Sequence, residues 1–93
     1  MITIEQLYSQ IATLGKKYHA NKTVLFGSRA RGDNRERSDI DIAVYGMPEE
    51  FRSLFWSAID ELPTLLSVDI VHISDGTDPA LIRSIERDGI VLM

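Results

Sequence analysis

The sequence predicts a single α/β domain in which helices cover one mixed β-sheet. Segments with apolar residues at helical spacing alternate with short runs of β-prone residues, which is typical of this class. The chain has 93 residues, which suits one domain over residues 1–93. Its apolar and charged fractions, 44% and 26%, are ordinary for a globular protein. We therefore expect one modest hydrophobic core.

Each element follows from residue spacing and from the residues that end it. The first helix is predicted over Ile4–Tyr18, with a capping box formed by Thr3 and Gln6. The later elements are a strand at Thr23–Phe26, a helical turn over Arg29–Arg31 capped by Ser28, a strand at Asp39–Tyr45, a helix between Pro48 and Pro63, a strand at Ser67–Ile73, and a helix from Pro79 that ends before Gly89. Ile90–Met93 is either a short edge strand or a tail. The first two strands can pair in either direction, so we expect a mixed sheet.

The composition argues against several functional classes. The chain contains no cysteine, so it has neither a disulfide framework nor a thiolate metal site. Its net charge is −4, whereas nucleic-acid binding depends on clustered cations, so no direct nucleic-acid binding is expected. No apolar run approaches the length of a membrane helix, and the N-terminus lacks a signal pattern. We expect a cytoplasmic protein without a membrane partner.

Two aspartates lie at i and i+2 inside an apolar strand. Because side chains alternate across a strand, Asp39 and Asp41 share one face, and Ile40, Ile42 and Val44 share the other, which we assign to the core. The α-carbons of the two acids lie roughly 6.5 Å apart at a rise of about 3.3 Å per residue. Carboxylates this close repel each other unless a proton or a cation intervenes. Mg²⁺, which prefers oxygen ligands and substrate phosphates, would offset the repulsion.

A third acid, Asp69, repeats this pattern within the β-prone run Ser67–Val71. If its strand neighbours the strand of Asp39 and Asp41, the three carboxylates form one cluster. The alternative is that each acid lies on a solvated sheet face.

A Gly-Ser pair, Gly27-Ser28, lies where the first strand ends and a helical turn begins. Glycine lets the backbone approach a ligand closely, and the N–H groups at a helix start bind anions such as phosphate. Four arginines follow within nine residues and can donate charge-assisted hydrogen bonds to phosphate: Arg29, Arg31, Arg35 and Arg37. The alternatives are an ordinary strand-to-helix turn and a solvated loop. A P-loop is excluded, because Asp33-Asn34 stands where that motif requires Lys and then Ser or Thr.

The remaining candidates are isolated. His19 and His72 have no partner in a recognisable motif, and His72 is expected to be a packing or surface residue of its strand. Trp56 lies off the apolar stripe of its helix, which suggests a half-buried residue at the rim, although an exposed tryptophan can anchor a partner.

The spacing of these motifs resembles a known signature. Gly27-Ser28, ten intervening residues and the Asp39–Asp41 triplet resemble the GS-x10-DxD signature of the DNA polymerase β-like nucleotidyltransferase superfamily. The longer string GSRARG…SDIDIAV is similar to the minimal nucleotidyltransferase (MNT) branch. The resemblance covers essentially the whole chain and implies a nucleotidyltransferase fold with a single minimal domain.

The resemblance also implies roles for individual residues. Asp39 and Asp41 would bind two Mg²⁺ ions. Asp69 would complete the metal site and help to activate the attacking hydroxyl. Gly27 and Ser28 would hold the β- and γ-phosphates of ATP.

Finally, the resemblance implies a partner. Proteins of the MNT branch often act with a small helical HEPN protein in toxin–antitoxin modules, where they neutralise a ribonuclease toxin by transferring AMP to it. We therefore expect AMP transfer from ATP to a hydroxyl acceptor, such as a tyrosine of a HEPN toxin, by a chain that acts in a homo- or hetero-oligomer. The alternative is a non-catalytic module that neutralises such a partner by binding alone.

Overall fold

The structure, a computed structural model, describes residues 2–93. Along that range the elements are α1 Ile4–Lys17, β1 Lys22–Phe26, α2 Ser28–Arg31, β2 Ile40–Tyr45, α3 Glu49–Asp60, β3 Val68–Ile73, α4 Pro79–Asp88 and β4 Ile90–Val91. The predicted order of helices and strands is confirmed. The segment after α4 forms an edge strand rather than a tail.

The four strands form one sheet in the order β3-β2-β1-β4. β2 is antiparallel to β1 and parallel to β3, and β4 is antiparallel to β1. The crossover through α3 returns the chain to the end of the sheet where β2 began, which parallel pairing requires. The predicted mixed sheet is therefore confirmed, with β2 and its acids at its centre.

Helices cover both faces of this sheet. Ile40, Ile42 and Val44 are almost fully buried on the face that packs against α1 and α3, as the alternation predicted. On the other face, a smaller cluster joins Val24, Ala43 and, from α4, Ile85. Asp41 precedes Ala43 on this second face and remains partly exposed, in contrast to the fully buried Ala43.

The element boundaries differ from the predictions in two places that matter for the site. Ser28 does not cap α2: Gly27 occupies the cap position, where its carbonyl accepts hydrogen bonds from Ala30 and Arg31 (both 3.1 Å), so the helix already begins at Ser28. Asp39 lies one residue before β2 and is exposed. Among the helices of residues 2–93, none is long and apolar enough to span a membrane.

Candidate active site

Asp41 and Asp69 occupy paired positions on the neighbouring parallel strands β2 and β3. Since paired residues of a sheet project from the same face, the two carboxyl groups lie on the same side. Asp39 precedes Asp41 by two residues and lies at the end of the sheet where β2 begins. The condition set by the sequence, that the strands of these acids be neighbours, is met.

The charges of the three acids influence one another. The pKa of Asp41 is raised above its ordinary value, chiefly by burial and then by the carboxylates of Asp69 and Asp39, while Arg31 acts in the opposite direction. Within residues 2–93, however, no three acidic, histidine or cysteine side chains are arranged closely enough to hold a metal ion. The aspartates therefore share one acidic patch without forming a preassembled cage of ligands.

Gly27 brings the Gly-Ser turn into direct contact with this patch. Its backbone has φ 74° and ψ −156°, a conformation that is almost exclusive to glycine. A β-carbon at this position would contact Asp41 Oδ2 and lie 3.3 Å from Asp41 Cγ. The contact arises because Phe26, the last residue of β1, pairs with Asp41 across the sheet. The predicted phosphate turn and the predicted metal ligands thus adjoin each other.

The two candidate arginines differ in what they contact. Arg29 donates from Nε to the Ser38 carbonyl (2.8 Å) and from Nη2 to the Glu36 carbonyl (2.9 Å). It therefore ties the loop before Asp39 to α2, a role that the sequence analysis did not foresee. Arg31 makes a partly exposed ion pair with Asp33 (3.1 Å), and its charge reaches Asp41. Of the two guanidinium groups, that of Arg31 adds positive charge beside the acids.

Two clefts flank the acidic patch. One, of about 330 Å³, is lined by Asp69 together with Trp56 of α3 and the segment that leads into β3. The other, of about 570 Å³, is lined by Asp39 together with Arg37 and the start of α1. Both volumes fall in the range of roughly 300–1,000 Å³ typical of ligand sites. Neither cleft was predictable from the sequence, because the first forms only where α3 folds back against β3 and the walls of the second come from segments far apart in the chain.

Residues 9–93 match the family described as Polymerase beta, Nucleotidyltransferase. Two proteins of Methanocaldococcus jannaschii, named as protein adenylyltransferases MJ0128 and MJ1379, are each 35% identical over 79 residues, which cover 81% of this chain and 79% of theirs.

Solved structures of toxin–antitoxin complexes have a similar fold. One, determined with AMP-PNP, superposes with a TM-score of 0.67 at 25% identity and covers 92% of this chain and 72% of its own. The second, a mutant of the toxin–antitoxin MntA-HpeT, has a TM-score of 0.68 at 23% identity with the same coverage, and its likeness concerns the fold alone.

Proposed function

The chain belongs to the Polymerase beta nucleotidyltransferase family, and from this we propose that it transfers AMP from ATP to a tyrosine of a small helical HEPN-type toxin, for which it acts as the antitoxin. That it is a nucleotidyltransferase follows from the family match and from relatives named as protein adenylyltransferases. The strongest structural support is the pairing of Asp41 with Asp69 beside the Gly27 turn. Since the reaction consumes ATP, we place it in the cytoplasm.

The chemistry of the acidic patch suits a divalent cation, although its three side chains do not form a ready-made metal site. Asp39, Asp41 and Asp69 offer only carboxylate oxygens, the ligands that Mg²⁺ prefers, and their mutual repulsion favours a cation among them. We propose that these three residues hold two Mg²⁺ ions. When bound, the ions would supply positive charge to the attacking and leaving oxygens of an in-line displacement.

The remaining residues bind the nucleotide and position the acceptor. The Gly27-Ser28 turn holds the β- and γ-phosphates, and Arg31 adds positive charge. Arg29 acts indirectly, because its two hydrogen bonds fix the loop that ends at Asp39. The acceptor oxygen bonds to the α-phosphorus as the bond from that phosphorus to its bridging oxygen breaks. Pyrophosphate leaves, and Asp69 takes the hydroxyl proton.

The proposal is tested with ATP labelled at the α-phosphate, Mg²⁺ and the purified protein encoded beside this one as the acceptor. We expect label on a tyrosine of that protein, located by mass spectrometry, and a loss of about 100-fold or more in Asp41→Asn and Asp69→Asn. Asp75→Asn, which changes an exposed acid of another loop, is the matched control. Absence of transfer by the wild type, or equal transfer by the Asp41 variant, would refute the proposal.

The alternative is neutralisation by binding alone, and the similarity of the fold to a chain solved within a toxin–antitoxin complex supports it as well as the catalytic proposal. It predicts that Asp41→Asn still binds the partner and abolishes its toxicity. Under the catalytic proposal, the variant binds the partner and leaves it toxic. A growth assay together with co-purification distinguishes the two.

A further inference from the structure

We propose that the outer edge of β3 pairs with the same edge of a second copy of the chain, so that two four-stranded sheets join into one and the two α3 helices lie side by side across a two-fold axis. This self-association goes beyond the proposed function, since neither ATP nor an acceptor takes part in it. The occupant is a second copy because the surface is complementary to itself, both along its strand and along its helix.

The outer edge of β3 carries backbone groups that the sheet does not use. β3 is the last strand on its side of the sheet, with β2 as its neighbour. Ile40 pairs with Val68 and donates its N–H to the carbonyl of Ser67 (2.9 Å). In a parallel ladder with this register, the N–H and C=O groups of Val68, Ile70 and His72 point away from β2. The strand contains neither lysine nor proline, two residues that commonly protect such an edge from pairing.

One antiparallel register uses all of these outward groups. It places Ile70 opposite Ile70 of the second copy, on the two-fold axis, and Val68 opposite His72, so that three residue pairs exchange hydrogen bonds. Asp69 then lies opposite Val71. The symmetric register centred on Asp69 would set two carboxylates directly opposite each other, which is destabilising. The one centred on Val71 would leave Val68 opposite a residue beyond the end of the strand.

The outward flank of α3 carries three side chains at a spacing of four residues: Arg52, Trp56 and Asp60. Burial and then the charge of Arg52 lower the pKa of His72, which places these two side chains close together. Further along the flank, Trp56 and Asp60 line the cleft with Val68. α3 therefore runs antiparallel to β3 along this edge.

The helix and the strand share one axis of symmetry. The flank from Arg52 to Asp60 spans about 12 Å at a rise of about 1.5 Å per residue, and the strand from Val68 to His72 spans about 13 Å. A two-fold axis at the middle of the strand therefore passes beside Trp56, at the middle of the flank. It brings Arg52 of each copy to Asp60 of the other, and the two Trp56 rings to each other.

The single chain leaves these three side chains without such partners. Arg52 Nε is buried and has no hydrogen-bond partner within residues 2–93, and in that range neither Arg52 nor Asp60 forms an ion pair. Trp56 has 59% of its surface exposed. The second copy supplies a carboxylate for the guanidinium and an aromatic ring for the indole, and both contacts are favourable.

Sedimentation velocity of the purified chain without nucleotide measures the association. We expect a dimer that forms as the concentration rises towards roughly 100 μM. The emission of Trp56, the only tryptophan of the chain, should shift to shorter wavelength as the dimer forms. Trp56→Ala should weaken the association about 30-fold or more. Leu54→Ala, which truncates an exposed apolar residue on the other side of α3, should leave it unchanged.

An exchange of charges tests the antiparallel arrangement. Arg52→Glu and Asp60→Arg should each weaken self-association about tenfold or more, because each sets like charges against each other across the axis. An equimolar mixture of the two variants should associate as tightly as the wild type, since both contacts of the mixed dimer join opposite charges. Glu61→Arg makes the same charge change as Asp60→Arg on an exposed residue outside the flank, and it should leave the dimer intact.

The opposite results would overturn the proposal. A wild type that stays monomeric over this concentration range does so, as does a mixture of the charge variants that fails to associate. A dimer unaffected by Trp56→Ala and by both charge variants would use another surface. If hydrogen exchange at β3 slowed only in a complex with a different protein, that protein would be the occupant and the proposal would be wrong.

Discussion

At the scale of single residues, the turn at Gly27 is under two constraints at once. Its backbone conformation is one that other residues rarely adopt, and the space of a β-carbon is filled by the carboxylate of Asp41. Gly32 also has a positive φ, of 83°, but nothing lies within 4 Å of its β-carbon position. A comparison of alanine substitutions at the two glycines therefore separates the cost of backbone strain from the cost of displacing an acid of the site.

We predict that Gly27→Ala and Gly32→Ala both lower the free energy of unfolding, by about 1–3 and about 1–2 kcal/mol respectively. Only Gly27→Ala should also abolish AMP transfer, since it displaces Asp41. Urea unfolding and the label-transfer assay measure the two effects. If Gly32→Ala were as inactive as Gly27→Ala, the contact with Asp41 would not be the cause.

The site residues were partly predictable because their chemistry is local. Alternation along a strand predicted Asp39 and Asp41 on one face, and the glycine at the end of β1 predicted a close approach of the backbone to a ligand. The close approach that the structure shows is to the carboxylate of Asp41, which the sequence did not predict. The different contacts of Arg29 and Arg31 were not predictable. Both are arginines of one short turn, and what separates them is the position of two backbone carbonyls in a loop that becomes defined only in the folded chain.

At the scale of elements, the contact between α1 and β1 explains why a glycine, Gly15, lies inside a helix. Gly15 is buried in the last turn of α1, and a β-carbon there would lie 2.7 Å from Thr23 Cγ2 and 3.2 Å from Met93 Sδ. Thr23 is itself fully buried, and its branched side chain has little freedom to move. Spacing could predict the helix but not this contact, because the contact depends on how closely β1 approaches.

The effect of Gly15→Ala on the free energy of unfolding should therefore be opposite to the effect that helix propensity predicts. A glycine-to-alanine change inside a helix normally stabilises by about 0.5–1 kcal/mol, but here we predict a net loss of about 1–3 kcal/mol from overpacking. The double variant Gly15→Ala/Thr23→Ser removes the opposing methyl group and should recover part of the loss. Urea unfolding of the single and double variants measures the coupling. A stabilised Gly15→Ala would contradict the packing described for α1.

At the scale of the whole molecule, one histidine links stability to pH. Burial, and secondarily the charge of Arg52, lowers the pKa of His72 below its ordinary value of 6.5. His72 therefore binds a proton more tightly in the unfolded chain than in the folded chain. Stability should fall as the pH drops through 6.5 towards the lower pKa of the folded state. Asp41 changes the dependence of stability on pH in the opposite direction, because its pKa is raised on folding.

We predict that His72→Gln reduces this loss of stability on acidification, measured as the difference in unfolding free energy between about pH 7.5 and about pH 5.5. His19→Asn, which replaces an exposed histidine with positive φ by a residue that tolerates this conformation, should keep the wild-type dependence. Equal pH dependence in the wild type and His72→Gln would show that other groups cause it.

The class of the fold was predictable from the alternation of helical and strand patterns along the sequence, but the pairing of the strands was not. The sequence left open whether the strand of Asp69 neighbours that of Asp41. The order of strands in a sheet depends on long-range packing, and the register of each pair depends on which face of the strand is buried. The same limit applies to the cleft between α3 and β3. Trp56 and Asp69 are separated by a helix end and a loop, and only the folded chain brings them to one surface.

The central claim is that Asp39, Asp41 and Asp69 together bind divalent cations beside the triphosphate of ATP. Anomalous diffraction from crystals of the chain grown with Mn²⁺ and a non-hydrolysable ATP analogue tests it most directly. We predict two manganese peaks, with carboxylate oxygens of all three aspartates and phosphate oxygens as ligands, and the β- and γ-phosphates at Gly27-Ser28. Peaks bound by Asp39 and Asp41 with Asp69 turned away, or a triphosphate bound elsewhere, would contradict the account.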